Sequence, residues 1–156
     1  MKKIVSALLA LILMLGLVLS FTSCGADLSG VYTDKNGNTW TFKSGKLEID
    51  STFKHAEVEH AITAVYSYDI ELSDDKTVET LTLTLKKYVY EGDNAEAKEQ
   101  VKEMNAYVDV RAAEDKQVSS VSQKTLTKEY TLTRADDGSY ISLKSGTTIT
   151  RLTVKQ

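Results

Sequence analysis

Two histidines, His55 and His60, are the residues with the clearest capacity for chemistry, and they are the only histidines in the chain. On a β-strand, His55, Glu57 and Glu59 would share one face, whereas His60 would point to the other. A structural zinc site needs four ligands at familiar spacings, and this segment has no such set. We therefore interpret it as a solvated strand end and predict neither a metal site nor a cofactor.

Residues 34–38 begin like a calcium-binding EF-hand loop, with oxygen-bearing side chains at alternate positions. The sixth position of such a loop should be glycine and is Thr39, and the twelfth should be glutamate and is Gly45. Asn36-Gly37 instead suits a hairpin turn, because both central residues of a type I′ turn need positive φ. The sequence therefore favours a turn over a calcium site.

No catalytic constellation is evident in the sequence. The chain has no Gly-x-Ser-x-Gly nucleophile elbow and no glycine-rich phosphate loop. Its carboxylate pairs, such as Asp74-Asp75, lie in turn-like contexts where solvation explains them. Neither histidine has an evident nucleophile partner. We therefore predict that the protein has no catalytic residues and is not an enzyme.

Cys24 is the only cysteine, so the chain can form no internal disulfide. It follows Lys2, Lys3 and an almost unbroken apolar run, an order that is typical of a secretory signal. The residues Phe-Thr-Ser-Cys that end at Cys24 resemble the lipobox of bacterial lipoproteins. The resemblance implies a signal peptide over residues 1–23, cleavage before Cys24, and a diacylglyceryl lipid with palmitate-like acyl chains on Cys24.

An uncleaved membrane anchor is the alternative, because the apolar run is slightly long for a signal core and slightly short for a span of about 18 residues. With both lysines held inside, an uncleaved helix would also place the C-terminal domain outside the cytoplasm. Both alternatives therefore predict a protein of the bacterial cell membrane or outer membrane, with its domain facing outward. The lipid on Cys24 would supply stable attachment to the membrane.

The amino-acid composition limits which fold class the domain can have and which kinds of partner it can bind. Removing Lys2 and Lys3 takes the formal net charge from −3 to −5, and a mildly acidic chain is a poor partner for nucleic acid. The chain has no proline and eight tyrosines, and it is rich in threonine. Because Tyr and Thr favour pleated, half-buried surfaces, the composition predicts a mainly β domain.

Alternating residues and glycine turns predict the strands. From Ile62 to Leu72 the even positions are apolar or aromatic and the odd positions are mostly polar, which indicates one buried face. Similar patterns, punctuated by X-Gly pairs, predict further strands over 29–34, 39–43, 46–53, 77–90, 122–133, 141–143 and 147–154. The expected fold is an antiparallel up-and-down meander or barrel of about eight strands.

One helix interrupts the strands. Asp93 is a suitable N-cap with Glu96 three residues later, and four apolar residues then share one helical face. These signals predict a helix over about 94–110 and a helix-plus-polar-loop region over 93–123. Tyr88 and Tyr90 precede it, on the face opposite Leu85. Either the helix covers these two tyrosines, or they are an exposed aromatic pair for a partner or a sugar.

The segment Leu28 to Phe42 resembles the opening hairpin of small lipocalin-like domains on bacterial lipoproteins, and Ile149 to Leu152 resembles their last strand. In lipocalins, a Gly-x-Trp on the first strand packs against an arginine on the last. Here Tyr32 takes the tryptophan position and Arg151 would be the arginine. The resemblance implies an eight-stranded barrel, a size that can be filled or can hold one small ligand.

Two functions fit a tether over 24–28 followed by a single domain over 29–156. The dense Leu, Ile and Tyr of the inward faces favour a packed interaction or structural module of the cell envelope. The alternative, implied by the resemblance, is binding of a small hydrophobic or amphiphilic ligand inside the barrel, among Trp40, Phe42, Tyr66 and Tyr68. A mobile helix with a cavity beneath it would favour binding, whereas tight packing there would favour interaction.

Overall fold

A computed structural model describes residues 27–155, so the predicted signal peptide, Cys24 and Gln156 lie outside the described residues. Within that range, eight antiparallel strands follow one another in chain order and close into a barrel. One α-helix lies between the fifth and sixth strands. The predicted mainly β, up-and-down barrel with an inserted helix is therefore confirmed.

Eight strands, one α-helix and one 3₁₀ turn make up the described part of the chain. They are β1 (Gly30–Thr33), β2 (Thr39–Lys43), β3 (Lys46–His55), β4 (Val58–Leu72), β5 (Glu79–Val89), α1 (Ala95–Asp115), a 3₁₀ turn (Val121–Gln123), β6 (Thr127–Arg134), β7 (Tyr140–Ser145) and β8 (Thr148–Val154). Because each hairpin reverses the chain, Leu28 and the turns at 44–45, 73–78 and 135–139 lie at one end, which we call the Leu28 end. The connections at 34–38, 56–57, 90–126 and 146–147 lie at the other, the helix end.

Positive φ angles mark two of the tight turns. Ser44 and Gly45 join β2 to β3 with φ of 45° and 74°, as a type I′ turn requires. Ala56 and Glu57 join β3 to β4 with φ of 47° and 65°. Neither Ala56 nor Glu57 favours that region, because a Cβ atom crowds the following carbonyl there. The second turn therefore follows from the pairing of two long strands rather than from its own sequence.

A packed core fills the Leu28 end of the barrel. Leu28 is 1% exposed and closes this end, although it belongs to the predicted tether over 24–28. The Tyr68 hydroxyl donates to the Leu28 carbonyl at 2.6 Å and also contacts the Asp27 carboxylate. The other buried members of this cluster are Tyr32, Phe42, Leu47, Leu81, Leu83, Leu132, Ile141, Leu143 and Leu152.

Helix α1 differs from the prediction at both ends. Asn94, not Asp93, is the N-cap, because its side-chain oxygen accepts from the Ala97 amide at 2.8 Å. The helix continues past the predicted limit at Val110 to Asp115, through residues 111–114, which include the good helix formers Arg, Ala and Glu. The predicted loop is therefore wrong over 111–115. No helix of the described residues is long and apolar enough to span a membrane.

A β-bulge in β5 changes which side chains face inward. Val65 pairs with Lys87 and Tyr66 pairs with Leu85, so Lys86 is an extra residue opposite the Val65–Tyr66 step. An extra residue shifts the alternation of everything after it by one position. Tyr88 therefore pairs with Ala64 on the inward face, and the expectation that it lies opposite Leu85 is wrong.

The tyrosine–arginine contact implied by the lipocalin resemblance is not formed. Arg151 is exposed on the outer face of β8, and its guanidinium carbon lies 3.7 Å from the centre of the Tyr140 ring. Tyr32 points into the core, where it makes an edge-to-face contact with Phe42 at 5.7 Å. Leu152 takes the inward position on that part of β8, so the adjacent Arg151 points outward, and the residue that pairs with Tyr32 is Val154.

Candidate ligand-binding cavity

The helix end of the barrel contains a partly enclosed cavity of about 290 Å³. This volume is close to the lower limit of about 300 Å³ that is typical of small-molecule sites. Strands β2 to β6 supply its floor and walls, and α1 covers one side. Its lining residues are mostly aromatic or aliphatic: Trp40, Ile49, Tyr66, Leu83, Leu85, Tyr88, Tyr107, Thr125, Leu126, Lys128 and Tyr130.

The four residues expected to bind a ligand fall into two places. Trp40 and Tyr66 line the cavity. Phe42 and Tyr68 lie deeper, in the packed core, where their rings meet edge to face at 5.5 Å. They do not line the cavity. Their packing supports its floor, so the pairs occupy successive layers of one barrel interior.

Trp40 is held in place by the turn before β2. Its indole Nε1 donates to Asp34 Oδ2 at 3.1 Å, and the Asn38 side chain donates to the same oxygen at 2.9 Å. Burial raises the pKa of Asp34, but these bonds and the backbone N–H groups of Asn36 and Asn38 outweigh it and leave the pKa below its usual value. The segment that begins like an EF-hand loop thus uses its first carboxylate to fix Trp40.

Tyrosines give the cavity a polar component. Burial, together with repulsion from Tyr88 and Tyr130, raises the pKa of Tyr66 to about 12. Burial also raises the pKa of Tyr130. Both hydroxyls therefore remain protonated at neutral pH, and each can donate a hydrogen bond to a ligand.

Helix α1 is attached to the wall of the cavity by one side chain. The Tyr88 amide donates to Asn105 Oδ1 at 2.7 Å, and Asn105 Nδ2 donates to the Tyr88 carbonyl at 2.9 Å. The Asn105 amide thus pairs with β5 as a neighbouring strand would. Val101 and Val108 are buried on the same side of α1, so the helix covers Tyr88, one of the two arrangements left open by the sequence.

The contact between α1 and the barrel is incompletely packed. A second depression, lined by residues that include Gln100, Met104 and Val108, shares four lining residues with the cavity: Leu85, Tyr88, Tyr107 and Leu126. The side-chain oxygen of Gln100 is buried and has no hydrogen-bond partner among the described residues. Buried polar atoms normally have a partner, so the second depression has unused hydrogen-bonding capacity.

The two histidines lie on the β3–β4 hairpin, away from the cavity. His60 is 9% exposed and packs against Phe53, and its Nδ1 lies 3.2 Å from the Tyr90 hydroxyl. His55 Nε2 lies 3.6 Å from a Glu96 carboxylate oxygen on α1. The interpretation of this segment as a solvated strand end is therefore wrong for His60. In residues 27–155, no three His, Cys, Asp or Glu side chains are grouped so as to hold a metal ion.

Some cavity residues were not predicted from the sequence. Lys128 faces inward between Leu126 and Tyr130, and the alternation of residues along β6 is sufficient to predict this orientation. Tyr88 was assigned to the wrong face because a bulge leaves only one irregular step in the pattern. Tyr107 lies beside the buried face of α1 and is 52% exposed, so helical periodicity alone does not place it at the cavity.

No protein-family model, no curated protein and no solved structure matches this chain. Its function therefore has to be inferred from the geometry and chemistry of the cavity.

Proposed function

We propose that the protein is a lipid-anchored lipoprotein of the bacterial envelope whose barrel binds a small hydrophobic or amphiphilic molecule at the helix end. The observation that carries this proposal is the uneven filling of the barrel. Core residues pack the Leu28 end, whereas the aromatic cavity under α1 is unfilled. The cavity beneath the helix supports binding over a fully packed interaction module.

The walls of the cavity are arranged before any ligand arrives. Trp40 is fixed by Asp34, and Tyr88 is fixed by Asn105. Rigid aromatic walls bind with little loss of conformational entropy, because few side-chain torsions have to be ordered on binding. The packed half of the barrel supplies the stability that such a partly empty site needs.

A lipid on Cys24 would place the cavity on the far side of the barrel from the membrane. Four residue steps separate Cys24 from the buried Leu28, and an extended chain of that length spans at most about 14 Å. The Leu28 end would then lie close to the bilayer, with the helix end facing away. The ligand would therefore come from the surrounding aqueous space. In this proposal, Cys24→Ser prevents lipid attachment, and a variant that stays processed and membrane-bound would contradict it.

An interaction module is the second candidate, and it is supported by the exposed apolar side chains of α1. Val110 is 56% exposed, and Tyr107, one turn earlier at the border of the cavity, is 52% exposed. An envelope protein could cover them. Substituting Val110 with serine would then abolish the association without changing ligand binding.

The binding proposal can be tested with the soluble chain from Gly25 onward, because all eight strands and their core lie within the described residues. Trp40 is the only tryptophan and lines the cavity, so its fluorescence reports on occupancy. We expect the neutral dye N-phenyl-1-naphthylamine to quench Trp40 saturably.

Leu85→Phe should fill the cavity and weaken dye binding at least fivefold. Ile149→Phe, which adds a ring at a 60% exposed position elsewhere, is the matched control. Trp40 emission that does not change with dye, or equal dye affinity in both variants, would contradict the proposal.

A further inference from the structure

We infer that the ligand of the cavity is a small hydrophobic acid, a molecule with an apolar body and one anionic group, and that Lys128 binds the anionic group. This inference rests on the proposed function and names the chemical class of its ligand. It depends on three features of the cavity: an inward-facing lysine, the absence of an opposing carboxylate in the lining, and the position of neutral donors beside it.

Lys128 lies on the inward face of β6. It pairs with Leu83 across the β5–β6 ladder, and Leu83 is 3% exposed within the core. Directly paired residues point to the same side of a sheet. Lys128 therefore projects to the interior side, between Leu126 and Tyr130, and lines the cavity. The side chain of Lys128 as a whole is exposed, so a ligand that enters the cavity from solvent can reach its charge.

The cavity contains no negative charge to balance this lysine. Lys128 is the only charged residue among those that line it. In residues 27–155, no side chain forms a hydrogen bond or ion pair with its ammonium. The adjacent Glu129 occupies the next ladder position, opposite Thr82, and so points to the outer face. A ligand anion in the cavity would therefore meet a positive charge that no carboxylate of the lining already neutralises.

The remaining lining fits the rest of such a ligand. Leu83, Leu85 and Trp40 offer apolar surface for a ring or short chain. The protonated hydroxyls of Tyr66 and Tyr130 can donate to the oxygens of a carboxylate or sulfonate. Hydrogen bonds to a charged acceptor are stronger than neutral ones, particularly where water is partly excluded. One part of the cavity therefore suits the apolar body of the ligand, and another part, with Lys128 and the tyrosine hydroxyls, suits its anionic group.

The contrasting explanation is that Lys128 only covers apolar wall with its methylene chain and holds its ammonium in water, as exposed lysines do. In that case the charge would not distinguish between ligands. A pair of competitors with the same shape and different charge separates the two explanations. We choose 3-phenylpropanoate and 3-phenylpropanamide, with bound N-phenyl-1-naphthylamine as the neutral reporter.

Both compounds would be titrated against the dye complex of the wild-type chain and of two variants. Lys128→Met removes the charge and keeps the length of the side chain. Lys144→Met is the matched control, because Lys144 is an exposed residue of β7 that does not line the cavity. We expect the carboxylate to compete about fivefold to tenfold better than the amide in the wild type and in Lys144→Met. In Lys128→Met the preference should fall below twofold.

Equal competition by the two compounds in the wild type would overturn the inference, as would a preference that survives in Lys128→Met. If neither compound displaces bound dye, a small acid is not the ligand. In each of these cases saturable dye binding leaves the proposed function standing. Failure of the dye itself to bind would remove the proposed function and this inference together.

Discussion

Replacing Asn105 with alanine is expected to loosen α1 from the barrel and to lower the free energy of unfolding. Asn105 makes two hydrogen bonds to the backbone of Tyr88, at 2.7 and 2.9 Å, and is the side chain through which α1 pairs with β5. Its removal leaves the amide and the carbonyl of Tyr88 without these partners. The position also adjoins the β5 bulge, where the sheet ladder is already interrupted.

The expected loss is about 2 kcal/mol. An intramolecular hydrogen bond contributes about 1 kcal/mol net, so two contribute about 2 kcal/mol. Alanine is the better helix former by about 0.5 kcal/mol, which offsets part of the loss. Leaving two half-buried backbone groups without partners adds about the same amount back. For a domain of this size, 2 kcal/mol corresponds to a decrease in Tm of roughly 6–10 °C.

Urea unfolding followed by circular dichroism would measure the change. Asp109→Ala is the matched control, because Asp109 is an exposed residue of the same helix. It should change the free energy of unfolding by less than about 0.5 kcal/mol. Asn105→Asp should destabilise at least as much as the alanine variant, since its second carboxylate oxygen would face the Tyr88 carbonyl oxygen where Asn105 Nδ2 donates.

A destabilisation below about 0.5 kcal/mol for Asn105→Ala would refute this account of how the helix is attached. An aspartate variant that is clearly more stable than the alanine variant would refute the assignment of a donor to the Tyr88 carbonyl. Because Tyr88 lines the cavity, we also expect Asn105→Ala to weaken binding of the neutral dye. Unchanged dye affinity in a destabilised variant would show that α1 does not shape the cavity.

Two further predictions concern the turn at 56–57 and the loop after α1. Changing Ala56-Glu57 to Asn-Gly should raise the free energy of unfolding by about 1 kcal/mol, because both positions have positive φ that Asn and Gly tolerate; a lower urea midpoint would contradict it. The amides of Leu126 and Thr125 donate to Asp115 and hold the pKa of its carboxyl below the usual value. A depressed folded-state pKa contributes stability that is present above the unfolded-state pKa of about 3.9 and is lost as the pH falls through the folded-state value. Asp115→Asn should therefore lose stability less steeply below about pH 4, and a urea-midpoint profile parallel to that of the wild type would count against this role.

Local signals were sufficient to predict the strands and the existence of the helix. The alternation from Ile62 to Leu72 and the glycine turns are properties of neighbouring residues, so they can be recognised without knowledge of the fold. The helix limits were less predictable. Asn94 and Asp93 are equally suitable caps by residue type, and only the hydrogen bond to Ala97 distinguishes them.

Features that depend on pairing between strands were not predictable. The bulge at Lys86 and the turn at Ala56-Glu57 result from the register in which long strands pair, and neither has a distinctive local sequence. Both affect the site. The bulge turns Tyr88 inward, and the turn extends the hairpin that carries His60 towards Tyr90. A prediction from alternation alone places such side chains on the wrong face or in solvent.

The sequence by itself determined that this chain forms a mainly β domain of antiparallel strands with one helix, because alternation and turn chemistry act over a few residues. It also determined that Trp40, Phe42, Tyr66 and Tyr68 face inward. Only the tertiary structure decided which of them fill the core and which border an empty space. That division depends on Leu28 closing one end and α1 partly covering the other. Such contacts join residues that are far apart in the chain, so no local sequence pattern predicts them.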